Sequence, residues 1–200
     1  MTGDWDKLDD TALIASIQKG RIQAFTQLVE RHQRSLINFF YHLSWDRQVA
    51  EDCAQEVFLR LYGHLGSYEP QAKFTTFLYR IARNLWIDRM RAEASRGGRP
   101  ASLEAVSDSG GDRPLRDRVS SPSPTPVEIL AKQETRQALR DAIERLPEEQ
   151  KTVLILSEMQ GLKYQEIGAI LEIPVGTVKS RMHTAMERLK ELLMDRENRT

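Results

Sequence analysis

KYQEIGAILEIPVGTVKSRMHTAMERLKELL, residues 163–193, decides the fold. Two helical patterns meet at a tight break. The first, Lys163 to Leu171, turns Tyr164, Ile167 and Leu171 inward, and Gly168 leaves space for a close helix contact. The connection falls at Glu172 and Ile173, and Pro174 opens the second helix, where a missing N–H does no harm. In that helix Val178, Met182, Ala185, Leu189 and Leu192 recur at spacings of four, three, four and three, a single anchoring stripe. The outer face offers Thr177, Ser180 and Thr184, with Arg181 and Arg188 on one side and Lys179 and His183 on the other. This is the build of a helix-turn-helix. Donors near the N-terminus of its second helix reach base edges in the major groove, and flanking cations hold phosphates. A surface helix with a basic face on any small bundle shares the bare pattern.

Working back, residues 127–145 form an amphipathic helix with Ile129, Leu130, Ala138, Leu139 and Ile143. Pro147, Glu148 and Glu149 start another, which carries Val153, Leu154, Leu156 and Met159 and ends at Gly161. Residues 94–126 stand apart: five of the eight prolines, paired glycines, a Ser-Pro run and no aromatic residue. That composition is expected to form a flexible linker. In the N-terminal half, Asp10 or Thr11 is expected to cap a helix through Gln18. A second helix spans residues 23–43, and Asp46 caps a third with Val49, Cys53, Val57 and Leu61 on one face. Gly63 and Gly66 are expected in the loop that follows, and a last helix runs from Phe74 to Arg91. The fold class is all-α: two small helical domains, 1–93 and 127–200, joined by the linker 94–126, with the helix-turn-helix in the second.

The chain of 200 residues is 40% hydrophobic and 29% charged, with a formal net charge of zero. The zero conceals two basic segments. Lys73, Arg80, Arg83, Arg89 and Arg91 face only Asp88 between residues 73 and 91. Lys179, Arg181, Arg188 and Lys190 face only Glu187 between residues 174 and 190. Such a distribution fits local contact with nucleic acid and contact with protein elsewhere. The acidic start MTGDWDKLDD lacks the pattern of a signal peptide, and no apolar run approaches a membrane span, so a cytoplasmic protein without membrane insertion is expected. Cys53 is the one cysteine, and His32, His42, His64 and His183 are scattered. Neither a metal site, a cofactor nor a catalytic constellation is read from them.

The helix from Phe74 has an apolar stripe of Phe74, Phe77, Leu78, Ile81 and Leu85, with Arg80, Asn84, Ile87 and Arg91 opposite. Asp88 lies towards the apolar stripe and is expected to pair with a neighbouring cation or to cap another element. Tyr68 and Trp86 are expected outside the core, beside cations, as single-stranded nucleic acid requires.

Three segments carry a family resemblance. LPEEQKTVLILSEMQGLKYQEIGAILEIPVGTVKSRMHTAMERLKELL, residues 146–193, resembles the −35-binding domain of bacterial sigma factors, most specifically through PVGTVKSR, residues 174–181. AEDCAQEVFLRLY, residues 50–62, is similar to their polymerase-binding helix, and FTTFLYRIARNLWIDRMR, residues 74–91, to their −10-element helix. The order of the two domains and the short linker resemble the extracytoplasmic-function (ECF) group. The resemblance implies an alternative sigma factor that binds core RNA polymerase through Asp52, Gln55, Glu56 and Leu59. It implies single-stranded −10 contacts from Tyr68, Lys73, Arg80, Arg83, Asn84 and Arg91, with a flipped base received by the loop 66–73. It implies −35 duplex contacts from Thr177, Lys179, Ser180, Arg181, His183, Thr184 and Arg188, and an anti-sigma factor as a further partner. Three positions depart from the family pattern: Phe77 stands where Trp is common, Lys163 where Ser or Thr often caps, and Glu172 where Gly is frequent. A conventional helix-turn-helix regulator explains residues 163–193 but not the other two segments. A DNA-processing enzyme needs a carboxylate cluster or an activated nucleophile.

Overall fold

The computed structural model describes residues 5–66, 68, 73–96 and 126–197, with backbone alone at 126–133 and 196–197. Its regular structure is helical throughout, in two bundles. The first holds α1 (Asp10–Gln18), α2 (Ile22–Ser44), α3 (Arg47–Leu65) and α4 (Phe74–Ser95). The second holds α5 (Pro126–Glu144), α6 (Glu148–Leu154), a π-helical turn (Ile155–Met159), α7 (Tyr164–Leu171) and α8 (Val175–Glu197). No described helix is long and apolar enough to cross a membrane.

The cap of α1 is Asp9, not Asp10 or Thr11. Asp9 is extended, and its Oδ1 accepts the Ala12 N–H at 2.8 Å. Asp10 instead binds α1 to α2: Arg31 reaches its Oδ1 at 2.8 Å and His32 its Oδ2 at 3.0 Å. Gly20 takes the left-handed φ of +81° between α1 and α2. Along α2 the buried residues are Ala24, Leu28, His32, Leu36, Phe39, Phe40 and Leu43, one face of a 3.6-residue repeat. Each fully buried aliphatic or aromatic side chain here contributes about 1.5–3 kcal/mol.

The α2–α3 connection is Trp45 and Asp46. Trp45 sits at φ 55°, a conformation costly for a bulky residue. Edge contacts with Tyr41 and His42 hold its ring. Asp46 caps α3 as its position suggests, accepting the Val49 N–H at 3.0 Å. Gly63 lies inside α3 rather than in the loop after it. Its poor helix propensity, about 1 kcal/mol against Ala, yields to the burial of Leu61 and Leu65 on either side.

At both ends the expected linker is shortened by helix, since α4 continues through Ser95 and α5 begins at Pro126. Residues 97–125 lie outside the described residues, and the side chains of Ile129 and Leu130 do too. Leu139 is largely exposed, while Ala142, Ile143 and Leu146 are buried. Pro147 is the residue before α6, which starts at Glu148. The two bundles pack together, with α4 on α7 and α2 on the π-helical turn.

Candidate DNA and protein interfaces

The α7–α8 turn is built by backbone. Glu172 adopts φ 57°, so the position where Gly is frequent keeps its left-handed geometry without Gly. The Ile173 N–H donates to the Gly168 carbonyl at 3.0 Å. A Cβ at Gly168 would stand 3.0 Å from the Ile173 carbonyl oxygen, so the close approach needs glycine. Lys163 does not impair the start of α7, because its backbone N–H donates to Glu166 Oε2 at 2.9 Å. Val178, Met182, Ala185 and Leu189 are buried, with Leu192 at the edge, so the anchoring stripe is as expected. Ile170 joins Ile167 and Leu171 inside.

The opposite face of α8 is open. Lys179, Ser180, His183, Thr184 and Arg188 are exposed and Thr177 is half-buried. The Ser180 hydroxyl donates to the Thr177 carbonyl and the Thr184 hydroxyl to the Ser180 carbonyl, each at 3.0 Å. Each hydroxyl oxygen keeps its lone pairs free to accept a hydrogen bond. Arg181 is bound to Glu149 of α6 at 2.5 Å, and His183 faces Glu187 at 3.4 Å.

The α4 residues are arranged differently. Lys73 Nζ lies 2.7 Å from Glu166 Oε1 on α7, and Arg80 reaches the Ala169 carbonyl at 3.5 Å. Arg83 donates to Asn84 Oδ1 at 3.1 Å, and Arg91 is exposed. Tyr68 is half-buried, its ring centroid 4.7 Å from Phe77, which keeps a core-edge role where the family often has Trp. Trp86 corrects the sequence reading: it is 6% exposed, and its indole N–H donates to Glu148 Oε1 at 2.6 Å. The reason is a rotated stripe. Phe74, Leu78, Ala82 and Trp86 recur every four residues and are buried, while Phe77 and Ile81 lie at the edge. Tyr79, two turns before Trp86, donates its hydroxyl to Gln160 Oε1 at 2.7 Å, and burial pushes its pKa up to about 12. Of the loop 66–73, residues 67 and 69–72 lie outside the described residues.

On α3, Asp52 accepts from Gln48 at 3.0 Å, Gln55 is exposed, and Leu59 is 70% exposed. Glu56 is bound by Arg60 at 2.9 Å, and Arg60 also reaches Asp88 at 3.5 Å, the cation partner expected for that acid. Gln55 and Leu59 border an open apolar groove of about 610 Å³ between α2 and α3, with Ile22, Phe25, Val29 and Tyr62 among its lining. The sequence reading missed this groove. Ile22, Leu59 and Tyr62 signalled it, as apolar residues standing off the buried stripes. Among the described residues no group of three or more His, Cys, Asp or Glu could hold a metal. Cys53 is buried, and burial raises its thiol pKa, as packing rather than reactivity requires.

Two family models match this chain: Sigma-70 region 2 over residues 28–96 and Sigma-70, region 4 over residues 136–189. The RNA polymerase sigma-H factor of Pseudomonas aeruginosa is 33% identical over 188 residues, 92% of this chain and 93% of that one. The ECF RNA polymerase sigma-E factor of Escherichia coli K12 is 36% identical over 190 residues, 91% and 93% of the two chains. The chain belongs to the ECF group of the sigma-70 family. Solved structures share its fold. CnrH in complex with the cytosolic domain of CnrY matches with a TM-score of 0.66 at 22% identity, covering 93% of this chain and 97% of that one. The sigma factor RpoE of Bartonella quintana, in complex with the anti-sigma factor NepR, matches with a TM-score of 0.63 at 24% identity, covering 85% and 96%.

Proposed function

We propose that this chain is an ECF-type sigma factor that binds core RNA polymerase, recognises −35 and −10 promoter elements and promotes melting. One observation carries the reading: both sigma-70 regions match in order, and the second presents an open, cation-flanked helix face. In this reading the second domain, 127–200, reads the −35 duplex with Thr177, Lys179, Ser180, Arg181, His183, Thr184 and Arg188. Ser and Thr oxygens accept from base edges, while Lys179 and Arg188 hold phosphates. The first domain, 1–93, holds the −10 strand with Tyr68, Lys73, Arg80, Arg83, Asn84 and Arg91. Asp52, Gln55, Glu56 and Leu59 on α3 dock polymerase, where an acidic rim around an exposed leucine suits a partner with cations and an apolar anchor. An anti-sigma protein is the further partner, in keeping with the complex in which RpoE was solved. The chain works in the cytoplasm, where polymerase is.

The test is transcription in vitro with sigma-free core polymerase on a pool of promoter DNA. Initiation at discrete sites, absent without the protein, is expected. Duplex binding without initiation would instead indicate a conventional regulator.

A further inference from the structure

α1 packs on α2, and its last residue, Gln18, reaches the turn that leaves α3. Gln18 Nε2 donates to the Leu65 carbonyl at 3.0 Å and to the Tyr68 carbonyl at 2.9 Å. A side-chain amide nitrogen carries two protons, and these two oxygens take both. Leu65 is the last residue of α3, where carbonyls have no partner within the helix. Tyr68 lies beyond the helix, and its own N–H reaches back to the Leu65 carbonyl at 3.3 Å. Gln18 therefore closes this turn from outside, from 50 positions away in sequence. The left-handed Gly20, two residues on, ends α1 and keeps Gln18 in its last turn.

The same helix reaches the other end of that connection. Asp10 Oδ2 meets His32 Nε2 at 3.0 Å, and the His32 ring lies edge-on to Phe74, centroids 5.3 Å apart. Phe74 opens α4 and stands 6.4 Å from the Tyr68 ring, which also meets Phe77 at 4.7 Å. Burial first, and then the Asp10 carboxylate, push the Tyr68 hydroxyl above its ordinary 10. Phe74 and Phe77 thus back the ring and α1 holds its backbone, while part of the ring stays open.

We propose that Gln18 is a positioning residue for strand capture: by pinning the Tyr68 carbonyl it holds the Tyr68 ring where an unpaired base stacks. The proposal rests on the assignment of Tyr68 to the −10 strand. It gives a part in promoter recognition to α1, which carries none of the residues assigned to DNA or polymerase. A ring ordered before the strand arrives loses less freedom on binding, so the pinning adds affinity without touching DNA. A cap for α3 alone would need only the Leu65 bond. The Tyr68 bond lies past the helix end and fixes the residue that carries the ring.

The test uses the full chain as wild type and as Q18E, Q18K and Y68A. Each is titrated by fluorescence anisotropy with a labelled single-stranded oligothymidine and with an abasic strand of the same length. Phosphate contacts are common to both strands, so the ratio of the two affinities isolates what the bases contribute. Wild type is expected to favour the oligothymidine, and Y68A to bring the ratio down about tenfold. Q18E keeps the shape of the side chain but has no proton to donate, and is expected to lower the ratio about threefold. Q18K carries the opposite charge and can donate to both carbonyls, and is expected to keep the wild-type ratio. A change of charge alone moves both strands together, and loss of an α3 cap alone lowers the urea midpoint without moving the ratio. A wild-type ratio in Q18E, with Y68A reduced, would overturn the positioning role and leave the reading of Tyr68 standing. Equal loss in Q18E and Q18K would overturn the two donated bonds as its basis. A wild type that binds both strands alike, or neither, would sink the assignment of Tyr68 and the proposal with it.

Discussion

α4 and α8 are helices of 22 and 23 residues, each with one basic face, and they treat their cations in opposite ways. On α8, Lys179 and Arg188 stand in solvent, and the Ser180 and Thr184 hydroxyls bond only their own helix. On α4, Lys73 and Arg80 bond α7, and Trp86 and Tyr79 bond residues of the second bundle. The difference follows from what each helix is proposed to read. A duplex presents ordered edges and phosphates, which small polar side chains and free cations meet without exposing apolar surface. A single strand needs rings and unpaired polar groups, which are costly to leave bare.

The largest effect expected bears on the α8 side. Ile167→Ala empties a fully buried site beneath the recognition helix. It should lower unfolding free energy by about 2–5 kcal/mol, read as a lower urea midpoint, and −35 duplex binding should fall with it. Retained duplex binding at full stability would show that α7 does not anchor α8.

Next comes Arg181, which α6 engages through Glu149. Arg181→Ala should weaken −35 duplex binding by about 1–3 kcal/mol if the guanidinium reaches a base edge. Because Glu149 holds it at 2.5 Å, Glu149→Gln should have the opposite sign in the same titration. If both variants match wild type, Arg181 has a structural role only and the contrast between the helices sharpens.

Glu56→Lys should weaken association with core polymerase about tenfold while sparing duplex binding. Equal loss of both in pull-down and duplex titration would point to damage of the first bundle, where Glu56 meets Arg60.

The smallest effects are those of pH. Burial, more than any partner, holds His32 and His42 below the ordinary 6.5. The unfolded chain therefore takes up their protons first. Their contribution to stability is complete above 6.5 and is lost progressively as pH falls from there towards the folded values. Urea midpoints should drop between about pH 7.5 and about pH 5.5, and a flat profile would remove both histidines from the account. Glu166 behaves as a depressed carboxylate. Its stabilising share in the Lys73 contact is present above the ordinary 4.5 and is lost as pH falls through its lower value, read as a lower urea midpoint in that acid range.

What the sequence made legible was local and periodic. The α8 stripe, the Gly168 contact and the Asp46 cap all depend on neighbours within a turn or on a helix face. The misses were set at longer range. Asp9 displaced Asp10 as the α1 cap because Arg31 and His32, more than twenty residues on, claim the Asp10 carboxylate. Gly63 stayed helical because Leu65 is buried beyond it. Trp86 went inside because the buried stripe of α4 is rotated to Phe74, Leu78, Ala82 and Trp86, where its ring meets Phe40 of α2 and Glu148 of the second bundle accepts its N–H. The α2–α3 groove escaped for a related reason, since an apolar residue off the stripe reads as a stray until two helices bring several together.

The π-helical turn at Ile155–Met159 bears on insertions and deletions. Glu148 before it and Gln160 after it both meet α4, at Trp86 and Tyr79. The wide turn sets the phase between those two contacts. Adding one residue within it would rotate everything downstream by about 100° and shift it about 1.5 Å along the axis, because a turn already wide cannot take up another. Gln160 would then lose Tyr79 even if α7 and α8 folded unchanged. Point substitutions should be widely tolerated on the exposed side of this segment, whereas lengthening it by a single residue should not.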